Sequence, residues 1–88
     1  MVPDTELNAL HQDAATAVML AVDGKVSNGM ELLLAGLRRV EEMQLDEAWA
    51  GEMACRYRKA IHGYGRRFGY GPALLLDLPE RVCTGSNA

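Results

Sequence analysis

The stretch Asn28-Gly29-Met30-Glu31-Leu32-Leu33-Leu34-Ala35-Gly36-Leu37-Arg38-Arg39-Val40 decides the fold class. At a helical repeat of about 100° per residue, Val40, Leu33, Leu37, Met30 and Leu34 fall on one arc. Leu32, Met43 and Gly36 widen the apolar sector to about 200°. That pattern predicts a helix over about residues 27–43, with Asn28 and Glu31 spaced as a capping box. A sector this broad must touch more than one neighbour. Either this helix is the middle one of a bundle, or it leaves apolar surface for a second copy of the chain.

Two further helices flank it. Pro3 and Asp4 suit a helix start, and Leu7, Leu10, Ala14, Ala17, Val18, Ala21 and Val22 recur at helical spacing over residues 4–22. Asp23-Gly24-Lys25 closes that segment, because Gly24 can adopt the left-handed conformation of a helix end. Downstream, Trp49, Met53, Tyr57, Ala60, Ile61, Tyr64 and Phe68 form an apolar stripe over residues 46–68, with Asp46 as the expected cap. The connections are short, which favours antiparallel neighbours. The expected fold is all-α: a small antiparallel three-helix bundle. An apolar C-terminal segment, Leu74 to Leu78, is expected to pack on it as a short helix or an extended run. The domain is expected to span residues 1–80, with 81–88 a flexible tail.

Gly29 and Gly36 are seven apart and so share one side of the middle helix. In a helix interior each costs about 1 kcal/mol relative to Ala. Small residues on facing helices permit axial separations near the low end of about 8–10 Å. Ala17 and Ala21 are therefore expected to pack near the Gly29–Gly36 face.

The chain has 88 residues, 49% hydrophobic and 24% charged, with a formal net charge of −3. That length excludes a doubly wound sheet with a second domain, or a (β/α)₈ barrel. Small size and a modest core make a homodimer one of the open arrangements. Two acids near the N-terminus stand where a signal peptide carries Lys or Arg, and the uncharged run Ala14–Val22 is too short to span a bilayer. Cys55 and Cys83 are too few for a disulfide scaffold and are read as reduced thiols, with a single bridge as the alternative. These features lead to an expectation of a cytoplasmic protein with no membrane association.

Chemistry-bearing motifs are sparse. The sequence contains no G-x-S-x-G, H-E-x-x-H, phosphate loop or C-x-x-C. His11 sits in the first helix's stripe as a boundary residue, and His62 on the outer face of the third. Cys55 and His62 share a helical face, but their backbones are about 10 Å apart along the axis, too far to bind one zinc ion unaided. No catalytic residue, metal site or cofactor is assigned, and a non-enzymatic role is expected. Glu41, inside the middle helix's apolar arc, and Arg56, at the edge of the aromatic stripe, are expected to form an interhelical polar pair. The reason is that an unpaired inward charge is costly.

Charge is distributed unevenly. Residues 1–55 carry three basic and ten acidic side chains, a balance of −7; residues 56–88 carry six and two, a balance of +4. Arg56, Arg58, Lys59, Arg66 and Arg67 lie in an acid-free stretch, interleaved with Tyr57, Tyr64, Phe68 and Tyr70. Arg58, Lys59, Arg66, Arg67 and Tyr70 form the candidate partner- or anion-binding set. The expected function is a small interaction or regulatory module that binds a protein partner or a second copy of itself. The alternative is nucleic-acid or anion binding through the basic face of the third helix, since basic chains attract phosphate and exposed rings stack on bases. Against that alternative, the three rings on the core stripe are removed from stacking, and the sequence pI is near 5.2.

Overall fold

The structure is a computed structural model, and it describes residues 2–43 and 46–70. Three helices account for the regular structure there: α1 (Asp4–Val22), α2 (Val26–Glu42) and α3 (Ala50–Phe68). They pack as a three-helix bundle in which α2 contacts both neighbours extensively and α1 meets α3 along a much thinner seam. Among the described residues, no helix is long and apolar enough to cross a membrane. The expected packing of Leu74–Leu78 and the expected tail at 81–88 lie outside the described residues.

α1 begins where the sequence places it. The Pro3 carbonyl accepts from the amides of Glu6 (3.0 Å) and Leu7 (3.2 Å), so the first turn is closed by backbone alone. Its end is a Schellman closure. Gly24 takes φ 86°, and the Lys25 amide donates to the Leu20 carbonyl at 2.8 Å. The same device ends α3, where Gly69 takes φ 68° and the Tyr70 amide donates to the Gly65 carbonyl at 2.8 Å.

Two helix starts differ from the sequence reading. α2 opens at Val26, with Lys25 as its cap residue and no side-chain cap, so Asn28 lies inside the helix and the Asn28–Glu31 box does not form. α3 opens at Ala50 rather than at Asp46. The Met43 carbonyl accepts from both the Asp46 and Glu47 amides, at 2.9 and 2.8 Å. Those residues therefore complete a turn at the end of α2. The Trp49 indole then donates to Glu47 at 3.1 Å, and its ring packs against the core.

The core lies on α2's apolar arc, as its periodicity requires. Met30, Leu33, Leu37 and Val40 are buried there against Leu10, Ala17 and Ala21 of α1 and Met53, Ala54, Tyr57, Ile61 and Tyr64 of α3. Val22, assigned to α1's stripe, is 75% exposed, because α1 ends there without a facing element among the described residues.

The two α2 glycines hold the bundle's register. A Cβ on Gly36 would lie 2.7 Å from Cζ and 2.8 Å from Oη of Tyr57. A Cβ on Gly29 would lie 2.9 Å from Cζ of Tyr64 and 2.7 Å from the Ala17 carbonyl oxygen. Tyr57 and Tyr64 are seven apart on α3, as the glycines are on α2, and the pairings run in opposite directions. The two rings thus occupy two notches of an antiparallel pair. The expected approach of Ala17 to Gly29 is observed. Gly36 faces Tyr57 instead of an α1 alanine, which corrects the sequence reading of that notch.

These contacts set the cost of filling a notch. Gly36→Ala should gain about 1 kcal/mol of helix propensity yet lose more through overpacking against a fully buried ring, for a net loss of about 1–2 kcal/mol. A Cβ on Gly63 of α3, by contrast, would meet no atom within 4 Å. Gly63→Ala should therefore stabilise by up to about 1 kcal/mol. Urea titrations of both variants check the pair of opposite signs.

Candidate functional site: the basic end of α3 and an interhelical polar seam

Each cation of the acid-free stretch has a separate fate, set by its position around α3. Arg56 and Arg58 lie on opposite flanks, about 200° apart at 100° per residue. Arg56 donates to Glu52, one turn earlier on the same helix, at 2.6 Å. Arg58 reaches across to α2 and pairs with Glu41 at 2.5 Å. The expected Glu41–Arg56 pair does not form. Glu41 is indeed bridged to α3, but by the arginine on the flank facing α2. Arg58 is thereby withdrawn from the candidate binding set.

Lys59, Arg66 and Arg67 remain exposed, and none of them makes an ion pair among the described residues. The Arg67 guanidinium lies 5.2 Å from the centroid of the Phe68 ring, a cation–π contact. Phe68 in turn packs on Tyr64 with centroids 4.9 Å apart and planes tilted by 55°. Tyr70, read from the sequence as the free ring, is half-buried and packs against the core. The Gly69 closure turns the chain back over the end of α3 and carries Tyr70 with it. No aromatic side chain of α3 or of the residues just after it is left as an open stacking platform: Tyr57 and Tyr64 are buried, and Phe68 is half-buried.

Away from this end, nearer the start of α1 and the end of α2, runs a polar seam that the sequence reading missed. The Tyr57 hydroxyl, on a side chain with 0% exposure, donates to Asp13 of α1 at 2.8 Å. Arg39 of α2 pairs with Glu6 of α1 at 2.9 Å and also faces Tyr57. Four side chains from three helices thus form one connected group. Burial, then the bond to Asp13, pushes the Tyr57 phenol up to about 12, against an opposing pull from Arg39. The Glu6 carboxylate raises the Arg39 guanidinium above its usual value. Tyr64 is also raised, first by burial, and its hydroxyl donates to the Val26 carbonyl at 2.6 Å. Among the described residues, no buried side-chain nitrogen or oxygen lacks a partner. The seam is a satisfied cross-link between the helices, and its chemistry is structural. Polar residues at i, i+7 beside α1's stripe, Glu6 and Asp13, were the available signal.

The other singled-out residues do not converge. His11 is exposed on α1, away from the core, and His62 is half-exposed on α3. No group of three or more metal-capable side chains occurs among the described residues. Cys55 is buried and disulfide-bonded, which corrects the reading of a reduced thiol at that position; Cys83 lies outside the described residues.

One concavity adjoins the basic end. Ala14 and Val18 of α1, Leu33 of α2, and Ala60, Gly63, Tyr64, Arg67 and Phe68 of α3 line a groove of about 290 Å³ along the thin α1–α3 seam. It is apolar except at Arg67. Comparison with known proteins finds no matching family model, no similar curated protein and no similar solved structure.

The raised Tyr57 fixes a pH dependence. Between pH 10 and 12 the unfolded chain has lost this proton and the folded chain keeps it, so stability falls as pH rises. The contribution is complete below pH 10 and is lost as pH rises through about 12. Urea midpoints measured from pH 9 to 12 should decline for the native chain. In Tyr57→Phe the decline should be shallower, from a starting stability lower by about 1–2 kcal/mol.

Proposed function

We propose that this chain is a non-catalytic interaction module whose working surface is the C-terminal half of α3, and that its partner presents acidic protein surface. One observation carries the reading. The bundle neutralises Arg39, Arg56 and Arg58 internally, yet leaves Lys59, Arg66 and Arg67 together, exposed and, among the described residues, without an ion-pair partner. Cations near a helix C-terminus gain about 0.3–1 kcal/mol each from the macrodipole, which accounts for some of their placement. That gain does not require three of them clear of every acid among the described residues, in a chain of net charge −3. A potential of one sign confined to one end of a small domain favours steering of an oppositely charged partner.

The same three cations could meet phosphate, so the kind of anion must be argued from the rest of the surface. Base recognition on single strands relies on exposed rings, at about 1–3 kcal/mol per stacked base. The rings here are committed to the core or packed against it. The apolar groove beside Arg67 suits side chains of a protein better than a sugar–phosphate backbone.

Amide shifts of the labelled chain, followed during titration, separate the two. An oligoglutamate peptide at low salt should move the amides of residues 59–67, and the effect should vanish in the Lys59→Glu/Arg66→Glu/Arg67→Glu variant while the thermal midpoint stays nearly constant. A single-stranded oligonucleotide should produce smaller shifts at equal concentration. Stronger, saturable binding of the oligonucleotide would hand the surface to nucleic acid.

A further inference from the structure

The groove along the α1–α3 seam narrows the kind of acidic partner. Its α3 wall is Ala60, Gly63, Tyr64 and Arg67, spaced i, i+3, i+4 and i+7, a straight wall two turns long. Gly63 leaves that wall open, since a Cβ there would meet nothing within 4 Å. The α1 wall, Ala14 and Val18, belongs to a run with no charge from Ala14 to Val22. Lys59 and Arg66 flank Gly63 on the outer side of α3, within about 60° of it around the helix. The groove is therefore apolar in its floor, cationic along one rim and uncharged along the other. Its volume, about 290 Å³, lies at the lower edge of the roughly 300–1,000 Å³ of small-molecule pockets, which suits one or two anchoring side chains.

We infer that this groove docks an amphipathic helix of a partner protein, one with apolar anchors on one face and acidic residues along a single adjacent flank. The inference rests on the reading of the α3 end as a surface for acidic protein. Apolar side chains of the helix enter over Ala14, Val18, Ala60 and Gly63. Its acidic flank lies against Lys59, Arg66 and Arg67. Helix-in-groove recognition needs this combination, with anchors at i, i+3 or i+4, and i+7 supplying contact area and charge fixing orientation. The one-sided charge of the rim matches only one direction of the docked helix.

The test uses the whole chain and three designed peptides: Leu at i, i+3 and i+7 with Glu on one flank; the same composition scrambled; and the patterned peptide with Lys in place of Glu. The patterned acidic peptide should bind at least about tenfold more tightly than the other two, with affinity falling as salt rises. Gly63→Trp, which fills the groove, and Arg67→Glu should each weaken it by about tenfold or more, with helical content by circular dichroism unchanged. Equal binding of patterned and scrambled acidic peptides, unaffected by Gly63→Trp, would overturn the groove while leaving the acidic-surface reading in place. Failure of every acidic peptide would overturn both. Concentration-dependent self-association abolished by Gly63→Trp would overturn the inference in favour of a second copy. Loss of amide protection at residues 73–78 in Gly63→Trp would overturn it in favour of the chain's own downstream segment.

Discussion

Two tyrosine rings seated over two glycines fix the geometry from which the rest follows. Tyr57 lies against Gly36 and Tyr64 against Gly29, and neither notch has room for a Cβ. Equal spacing on α2 and α3 means that sliding one helix along the other by a turn would drive both rings against side chains at once. The notches therefore act on register as well as on closeness. Burying the rings also brings two hydroxyls out of water, which is costly without partners. Asp13 and the Val26 carbonyl accept from them, so the same two side chains tie α3 to both other helices. A small core gains from such contacts, because its buried apolar area alone leaves little margin.

The cross-link shapes the surface too. Arg39 and Glu6 extend the Tyr57–Asp13 bond to α2, and Arg58 and Glu41 bind α2 to α3 on the other flank. These pairs are partly exposed, and each contributes modestly. Their larger consequence is electrostatic. They cancel cations close to the bundle's interior and leave Arg66 and Arg67, in the last turn of α3, without an ion pair among the described residues. With α1 and α3 meeting only thinly, an apolar groove opens beside that end, and charge and shape coincide at Arg67.

Much of this architecture was legible in the sequence. α1 was placed from Asp4 to Val22 because Pro3 and Gly24 mark its ends with backbone chemistry that few other residues supply. The core arc of α2 followed from periodicity, while its breadth left two readings open, a middle helix or a face for a second copy; the structure packs α2 against both α1 and α3. Caps were less legible: Asn28 and Asp46 have the composition of caps, but in each case backbone turns closed by Lys25 and by Met43 take the role. The tyrosine notches were half legible. The glycine spacing was visible, yet α1's alanines and α3's tyrosines both fit opposite it, and only packing in three dimensions chooses. The Glu41–Arg56 pairing failed for a related reason. A residue's angle around its own helix is readable from sequence, but which neighbour stands at that angle is not.

The most direct measurement of the register is a proton NMR spectrum of the isotope-labelled chain, assigned at Gly29 and Gly36. A glycine Hα against a tyrosine ring face is shifted strongly by the ring current and shows cross-peaks to the ring protons. Seating in the notches requires Gly36 Hα cross-peaks to Tyr57 and Gly29 Hα cross-peaks to Tyr64, with both glycines displaced from ordinary helical shifts. Ordinary shifts, with cross-peaks from Gly36 to α1 methyl groups instead of Tyr57, would contradict it.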